Sequence, residues 1–377
     1  MSVLSELKRA LETQKGFHLK MVIGVDGFVD EILHIVDKRH DVNRFTRVET
    51  IAALGERVSR ASGLGTNIEL VTVQTKLGGN GPIFANALIE YGVRLTYFGS
   101  IGKPEIHPVF KPMAEKAEAV YSICNPALTD ALEFSDGKLM LGKHYALREI
   151  TWENCLKVMG GAENIARLAE GCDLFGMENW TMVPNMSSLW EGMIRDVFPL
   201  MKAGGEKGLA FFDLADPEKR TKDDIRHAME LISRFGEKFR PILGLNEKEL
   251  YEIAEVLGVS VNGAASPEEK LRGAVVDTYK KLNIYCLVVH PTKEAACCVN
   301  GEYFRVDGPF CAKPVLTTGA GDNFNAGFCL GQALGLDPAS ALTLGVSTSG
   351  FYVRNGKSPT YEDVINFVGQ WDEGKLA

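Results

Sequence analysis

The chain has 377 residues, a formal charge of −8, 45% hydrophobic and 24% charged residues; that is enough for two or three average domains, or for one large α/β domain with a small appendage. Its acidity, with no Lys/Arg stripe interleaved with aromatics, argues against nonspecific nucleic-acid binding, and no apolar run is long enough to span a bilayer. Eight cysteines without a C-x-x-C pair read as reduced core residues, so a cytoplasmic setting and a small-molecule partner are expected.

The first segment carries Val3, Leu4, Leu7, Ala10 and Leu11 at helical spacing among charges, which predicts an amphipathic helix over 1–16. A short apolar strand, Met21–Val25, follows and ends at Asp26-Gly27-Phe28-Val29-Asp30. Residues 34–77 break the pattern and finish in the alternating Ile68–Thr75, as half-exposed strands do. Gly78-Gly79-Asn80 then leads into a helix around Pro82–Leu88, and Val93–Gly102 reads as the next strand. Residues 119–150 break the pattern again, with a hairpin signal at Ser135-Asp136-Gly137-Lys138.

Further on, the apolar runs Asp173–Met177, Leu209–Asp213, Ile242–Leu245 and Tyr285–Val289 alternate with amphipathic segments such as Pro184–Lys202 and Thr221–Phe239. Unalternated strands of this kind are buried on both faces, which predicts a mostly parallel sheet with helices on each side. Ligands of such sheets gather at the carboxyl ends of the strands. Asp26, Glu178, Asp213, Asn246 and His290 each directly follow a strand and should share one rim.

Asn246-Glu247-Lys248-Glu249 opens a helix and has the spacing of a capping box. In Asp213–Arg220, Arg220 either meets a phosphate or pairs with Asp216. The most specific stretch is Thr317-Thr318-Gly319-Ala320-Gly321-Asp322-Asn323-Phe324, a small-residue turn at a helix N-terminus. Unpartnered N–H groups and the positive end of the helix dipole attract an anion there, and glycines let a phosphate come close. The dipole should keep Asp322 ionised beside that anion, where it is placed to accept a hydroxyl proton.

Thr-Thr-Gly-Ala-Gly-Asp-Asn-Phe-Asn-Ala-Gly resembles the C-terminal signature of the ribokinase-like (PfkB) carbohydrate kinases, and Gly78-Gly79-Asn80 resembles that family's sugar-side glycine pair. The order of the pieces matches from about Met21 to about Val368. The resemblance implies one ribokinase-like domain over 1–377: a three-layer α/β/α fold with a doubly wound sheet and a discontinuous β lid from about 34–77 and 119–150. It implies ATP-dependent phosphorylation of a hydroxyl of a small sugar or sugar acid, with Asp322 as base and the N–H groups of Gly319, Ala320 and Gly321 as anion hole. By the same resemblance Asp26, Asp30, Gly79 and Asn80 hold the sugar, and Asn246 and Glu249 organise Mg²⁺, through water given that ion's reluctance to dehydrate. Thr318 and Thr292 fall on the nucleotide side; K⁺ near the anion hole and a homodimer are further implications.

Some positions depart from the family. Ile83 stands where ribokinase-like members often carry a sugar-binding Asn, and Lys103-Pro104 replaces an acidic pair. His290-Pro291-Thr292-Lys293 lacks the glycines usual at the nucleotide. ADP as donor, a nucleoside or vitamin-precursor acceptor, and a non-catalytic sugar-binding protein of the same fold therefore stay open as alternatives.

Overall fold

The computed structural model describes residues 2–202, 208–261 and 266–376. In chain order the first strands are β1 (Lys20–Val25), β2 (Phe28–Arg39), β3 (Phe45–Arg47), β4 (Leu70–Gly78), β5 (Arg94–Gly99), β6 (Ala119–Ser122), β7 (Ala127–Phe134) and β8 (Gly137–Lys143). They are followed by β9 (Leu174–Met177), β10 (Leu209–Asp213), β11 (Arg240–Leu245), β12 (Cys286–Val289), β13 (Glu294–Val299) and β14 (Glu302–Asp307).

A 9-stranded sheet runs in the order β14-β13-β12-β11-β10-β9-β1-β5-β6. From β12 to β6 all neighbours are parallel, and only the β12–β13–β14 edge is antiparallel. The central strands are buried along nearly their whole length because both faces are covered. Alternate residues serve opposite cores. Ile23, Phe211, Ile242 and Val288 meet Leu7, Phe84, Phe328 and Leu342 on one side. Val22, Phe212, Leu243 and Leu287 meet Trp190, Ile225, Leu250 and Leu271 on the other. This is the expected mostly parallel α/β architecture.

A 5-stranded sheet stands apart, with β2 paired to β3, β4 and β7, and β8 beyond β7. It is thinly backed, by a small core in which Leu54 of the helix Ile51–Arg60 meets Leu33, Ile35, Leu132 and Phe134. Its limits differ from those read in the sequence. It starts at Phe28, because β2 continues almost directly from β1. Ala119–Ser122, assigned to the lid, instead pairs with β5 at the edge of the large sheet, and Trp152–Met159 just after the second lid segment is helical. The N-terminal helix spans Val3–Thr13, and Met1 lies outside the described residues.

Helices Ala320–Ala333 and Pro338–Asn355 lie in close contact because small residues line their seam. A Cβ at Gly327 would stand 2.2 Å from Thr348 Oγ1 and 2.8 Å from Leu344 O. Gly327→Val should therefore destabilise the fold by about 1–3 kcal/mol through overpacking, read as a lowered midpoint of chemical denaturation.

Candidate active site

The order of the large sheet reverses at β1: β5 and β6 follow on one side, β9 to β12 on the other. A crevice opens at the carboxyl ends of strands beside such a reversal. It collects Asp26 after β1, Glu178 after β9, Asp213 at the end of β10, Asn246 after β11 and His290 after β12. The helix Ala320–Ala333 enters the same rim by its N-terminus.

The turn before this helix is held from several sides. Gly319 adopts φ 91°, a left-handed conformation that favours glycine. Tyr352 Oη donates to Thr318 O at 2.8 Å, and Asn323 Nδ2 donates to Gly319 O at 2.8 Å. Ala320, expected in the anion hole, donates its N–H to Thr317 O at 3.1 Å. Asp322 is 8% exposed, and its Oδ1 accepts from Asn80 Nδ2 at 3.0 Å. The Gly79–Gly81 turn and the Gly319–Gly321 turn, with these two side chains 242 residues apart in sequence, thus meet.

Asp26, expected at sugar hydroxyls, is fully buried and both its oxygens are engaged. Oδ1 accepts from Gly81 N at 2.8 Å, and Oδ2 accepts from Asn80 N at 3.1 Å and Asn179 Nδ2 at 2.7 Å. Its place is under the Gly79–Gly81 turn, which it clamps so that Asn80 faces Asp322. Asp30 lies on the small sheet, directly opposite Lys76 of β4 and Thr129 of β7. Burial raises its pKa, opposed by the Thr129 hydroxyl and the charges of Lys76 and Lys138.

Glu178 is the residue that sequence reasoning left without a role. It is fully buried, and neither carboxylate oxygen has a partner among the described residues. The signal was present, an acidic residue straight after a buried apolar strand, but its isolation depends on neighbours distant in sequence. Burial first, then the charges of Asp213, Asp322 and Asp26, drive its pKa well above the usual range. Asp213 is raised well above its ordinary value for similar reasons, although Asn325 Nδ2 donates to its Oδ2 at 3.2 Å. Burial pushes Asp26 up to about 6. For Asp322 burial, aided by the Asp26 charge, reaches about 8, which reverses the expectation that the helix dipole keeps this group ionised. Desolvation of a buried carboxylate outweighs a half charge that the helix N–H groups provide.

The capping box at Asn246 is complete: Asn246 Oδ1 accepts from Glu249 N at 3.0 Å, and Glu249 Oε2 accepts from Asn246 N at 2.9 Å. Glu249 Oε1 also accepts from Asp216 N at 2.9 Å, tying the loop after β10 to this helix. Arg220 does not pair with Asp216, which takes Lys219 and Lys248; it stacks on Trp180 at 4.9 Å and donates to the carbonyls of Trp180, Thr181 and Val183. Among the described residues, three carboxylates come within 4.8 Å of one another only at Asp216, Glu218 and Glu252, where Lys248 already pairs with each of them. The buried carboxylates of the crevice therefore form no ready-made cage. Oxygen donors set apart, including the orphaned Glu178, fit a hydrated Mg²⁺ that takes few protein ligands.

Beyond the anion turn lies a cavity of about 340 Å³, lined by His290, Thr292, Phe310, Gly321, Phe324 and Val346 among others. Burial lowers His290 to about 4, so it is neutral, and its ring lies 5.1 Å from that of Phe324. This floor suits a flat apolar group rather than a phosphate. Thr292 lines this cavity, and in the turn before helix Ala320–Ala333 Thr317 does so rather than Thr318. Arg354 donates to Pro309 O and Phe310 O and so braces one wall.

Solved structures of the ribokinase fold share this architecture. Arabidopsis thaliana ribokinase complexed with ribose and ATP matches with a TM-score of 0.63 at 16% identity, over 93% of this chain and 99% of that one. Xylella fastidiosa fructokinase with bound ATP matches with a TM-score of 0.64 at 13% identity, over 94% and 99%. In sequence, the ketohexokinase of Haloferax volcanii is 27% identical over 351 residues, which cover 93% of this chain and 90% of that protein. The prokaryotic ketohexokinase family matches residues 9–371, so the chain belongs to that family. It is a carbohydrate kinase, as its likeness to the ribokinase-like carbohydrate kinases implied.

The raised carboxyl groups give stability a defined pH dependence. Between its ordinary 3.8 and about 8, Asp322 binds more proton in the folded than in the unfolded state, so folding stability falls as pH rises through that window and levels off above it. Asp322→Asn should flatten this decline and raise the melting temperature most at pH 8 to 9, measured by calorimetry on the protein without nucleotide; an unchanged slope would contradict the assignment.

Proposed function

We propose that this chain transfers the γ-phosphoryl group of ATP to a hydroxyl of a ketohexose. The observation that carries the reading is the position of Asp322: on the first turn of the helix behind the anion turn, bonded to Asn80, with the cavity lined by His290 and Phe324 beyond. The acceptor specificity follows the Haloferax volcanii relative, a ketohexokinase.

The sugar lies between the small sheet and the rim, held by Asp30, Asn80 and the orphaned Glu178, with Gly79 giving close backbone approach. Asp322 aligns the attacking hydroxyl and accepts its proton as the new oxygen–phosphorus bond forms and the bond to ADP breaks. The N–H groups of Gly319 and Gly321 face the transferring phosphoryl, since the N–H of Ala320 is taken up by Thr317. The adenine and ribose occupy the cavity, with Thr292 at its wall. Asn246 and Glu249, through water, would hold Mg²⁺, which supplies positive charge against the phosphate oxygens and lowers the pKa of nearby carboxyls.

The raised pKa of Asp322 fits this role, because a base near neutrality takes a proton more readily than one at the ordinary value. Nucleotide consumption with ketohexoses, aldoses, sugar acids and nucleosides, with ATP or ADP, tests the assignment. We expect ketohexose-dependent turnover with ATP, falling about 100- to 10,000-fold in Asp322→Asn while ketohexose binding persists. Near-normal turnover in that variant would remove Asp322 as base.

A further inference from the structure

One side chain of the small sheet reaches the anion turn. Lys138, at the start of β8, donates its Nζ to Thr318 Oγ1, which lies 180 residues away in sequence. Its register partner is Glu133 of β7, an opposite charge directly across the hairpin. Such a cross-strand pair is the default arrangement for an exposed lysine. Lys143 on the same strand does find a carboxylate of β7, Asp130, diagonally across the hairpin at 2.7 Å. Lys138 passes its acidic neighbour by and spends its donor on a neutral hydroxyl.

The location gives that choice a meaning. The charge of Lys138 is felt by Asp30 and by Lys76 on the sugar side of the crevice, while its Nζ touches the anion turn on the other. It therefore stands above the gap between the acceptor and the N-terminus of helix Ala320–Ala333. Below that gap lie the buried carboxyl groups Asp26, Glu178, Asp213 and Asp322, none of which offers a phosphate a positive charge. Charge spread over the equatorial oxygens of a transferring phosphoryl group needs cations close by. An ammonium engaged by a neutral hydroxyl can exchange that partner for a charged phosphate oxygen.

Resting on the kinase reading above, we infer that Lys138 is the small-sheet cation that leaves Thr318 Oγ1 for an oxygen of the transferring phosphoryl group and stabilises the transition state. Lys138 stays protonated throughout and takes part in no covalent step; the acceptor proton goes to Asp322. A latch that merely fastens the small sheet would use the same hydrogen bond, but it would affect binding of both substrates rather than the chemical step.

Steady-state kinetics of Lys138→Met, with Lys138→Arg beside it, separates the two. The side chain is exposed, so folding should be unaffected, which a melting curve verifies. We expect kcat to fall about 100- to 1,000-fold in Lys138→Met, with the KM values for ATP and ketohexose nearly unchanged and partial recovery in Lys138→Arg. A second readout needs no turnover: calorimetric binding of Mg-ADP with fluoroaluminate and ketohexose, a mimic of the transferring group. Wild type should bind this combination more tightly than Mg-ADP alone, and Lys138→Met should lose most of that gain. An unchanged kcat, a rise confined to KM, or full retention of the fluoroaluminate gain would overturn the inference. A wild type that phosphorylates no ketohexose would overturn the reading beneath it, and the inference with it.

Discussion

One buried carboxylate joins the parts of this crevice. Asp26 accepts from Asn179 after β9 and from the N–H groups of Asn80 and Gly81, so the reversal point of the large sheet and the turn that faces it are fixed to each other. Asn80 then carries the link onward to Asp322. A carboxylate held by several donors gains in a low-dielectric site what it loses in hydration, provided every donor stays in place. Remove it and the Gly79–Gly81 turn and the N-terminus of helix Ala320–Ala333 lose their common anchor.

The rest of the site follows from crowding acidic groups at the ends of buried strands. A parallel sheet covered on both faces offers only its strand ends to a ligand, and here those ends bring Glu178 and Asp213 together with Asp322. Desolvation and mutual repulsion raise all of them, an arrangement that is unfavourable for folding and useful for chemistry. In the proposed reaction a divalent cation and Lys138 of the small sheet would complement such a cluster. The cavity beside His290 and Phe324, neutral and largely apolar, is the contrasting surface, which the proposed reading gives to the flat part of a nucleotide.

Much of this architecture is readable in the sequence because its signals are local. Unalternated runs such as Leu209–Asp213 announce doubly covered strands, and the Gly319–Asp322 turn announces a helix N-terminus. The capping spacing at Asn246 also holds in the structure. What escapes is whatever depends on partners far apart in the chain. Asp26 has the look of a ligand residue until Asn179 and Gly81 are seen to occupy it. The pKa of Asp322 follows its burial, which no short window of residues reports. Ala119–Ser122 falls inside the stretch read as lid yet finds β5, because pairing is a tertiary choice. The contact from Lys138 to Thr318 spans two sheets and leaves no trace in either segment alone.

The most direct measurement is the phosphorus NMR spectrum of the wild-type protein turning over Mg-ATP with a ketohexose. The account predicts ADP and a new sugar phosphomonoester signal growing in equal amounts, with no inorganic phosphate. ADP accompanied by inorganic phosphate alone, or ATP left intact while aldoses or nucleosides are phosphorylated instead, would contradict it.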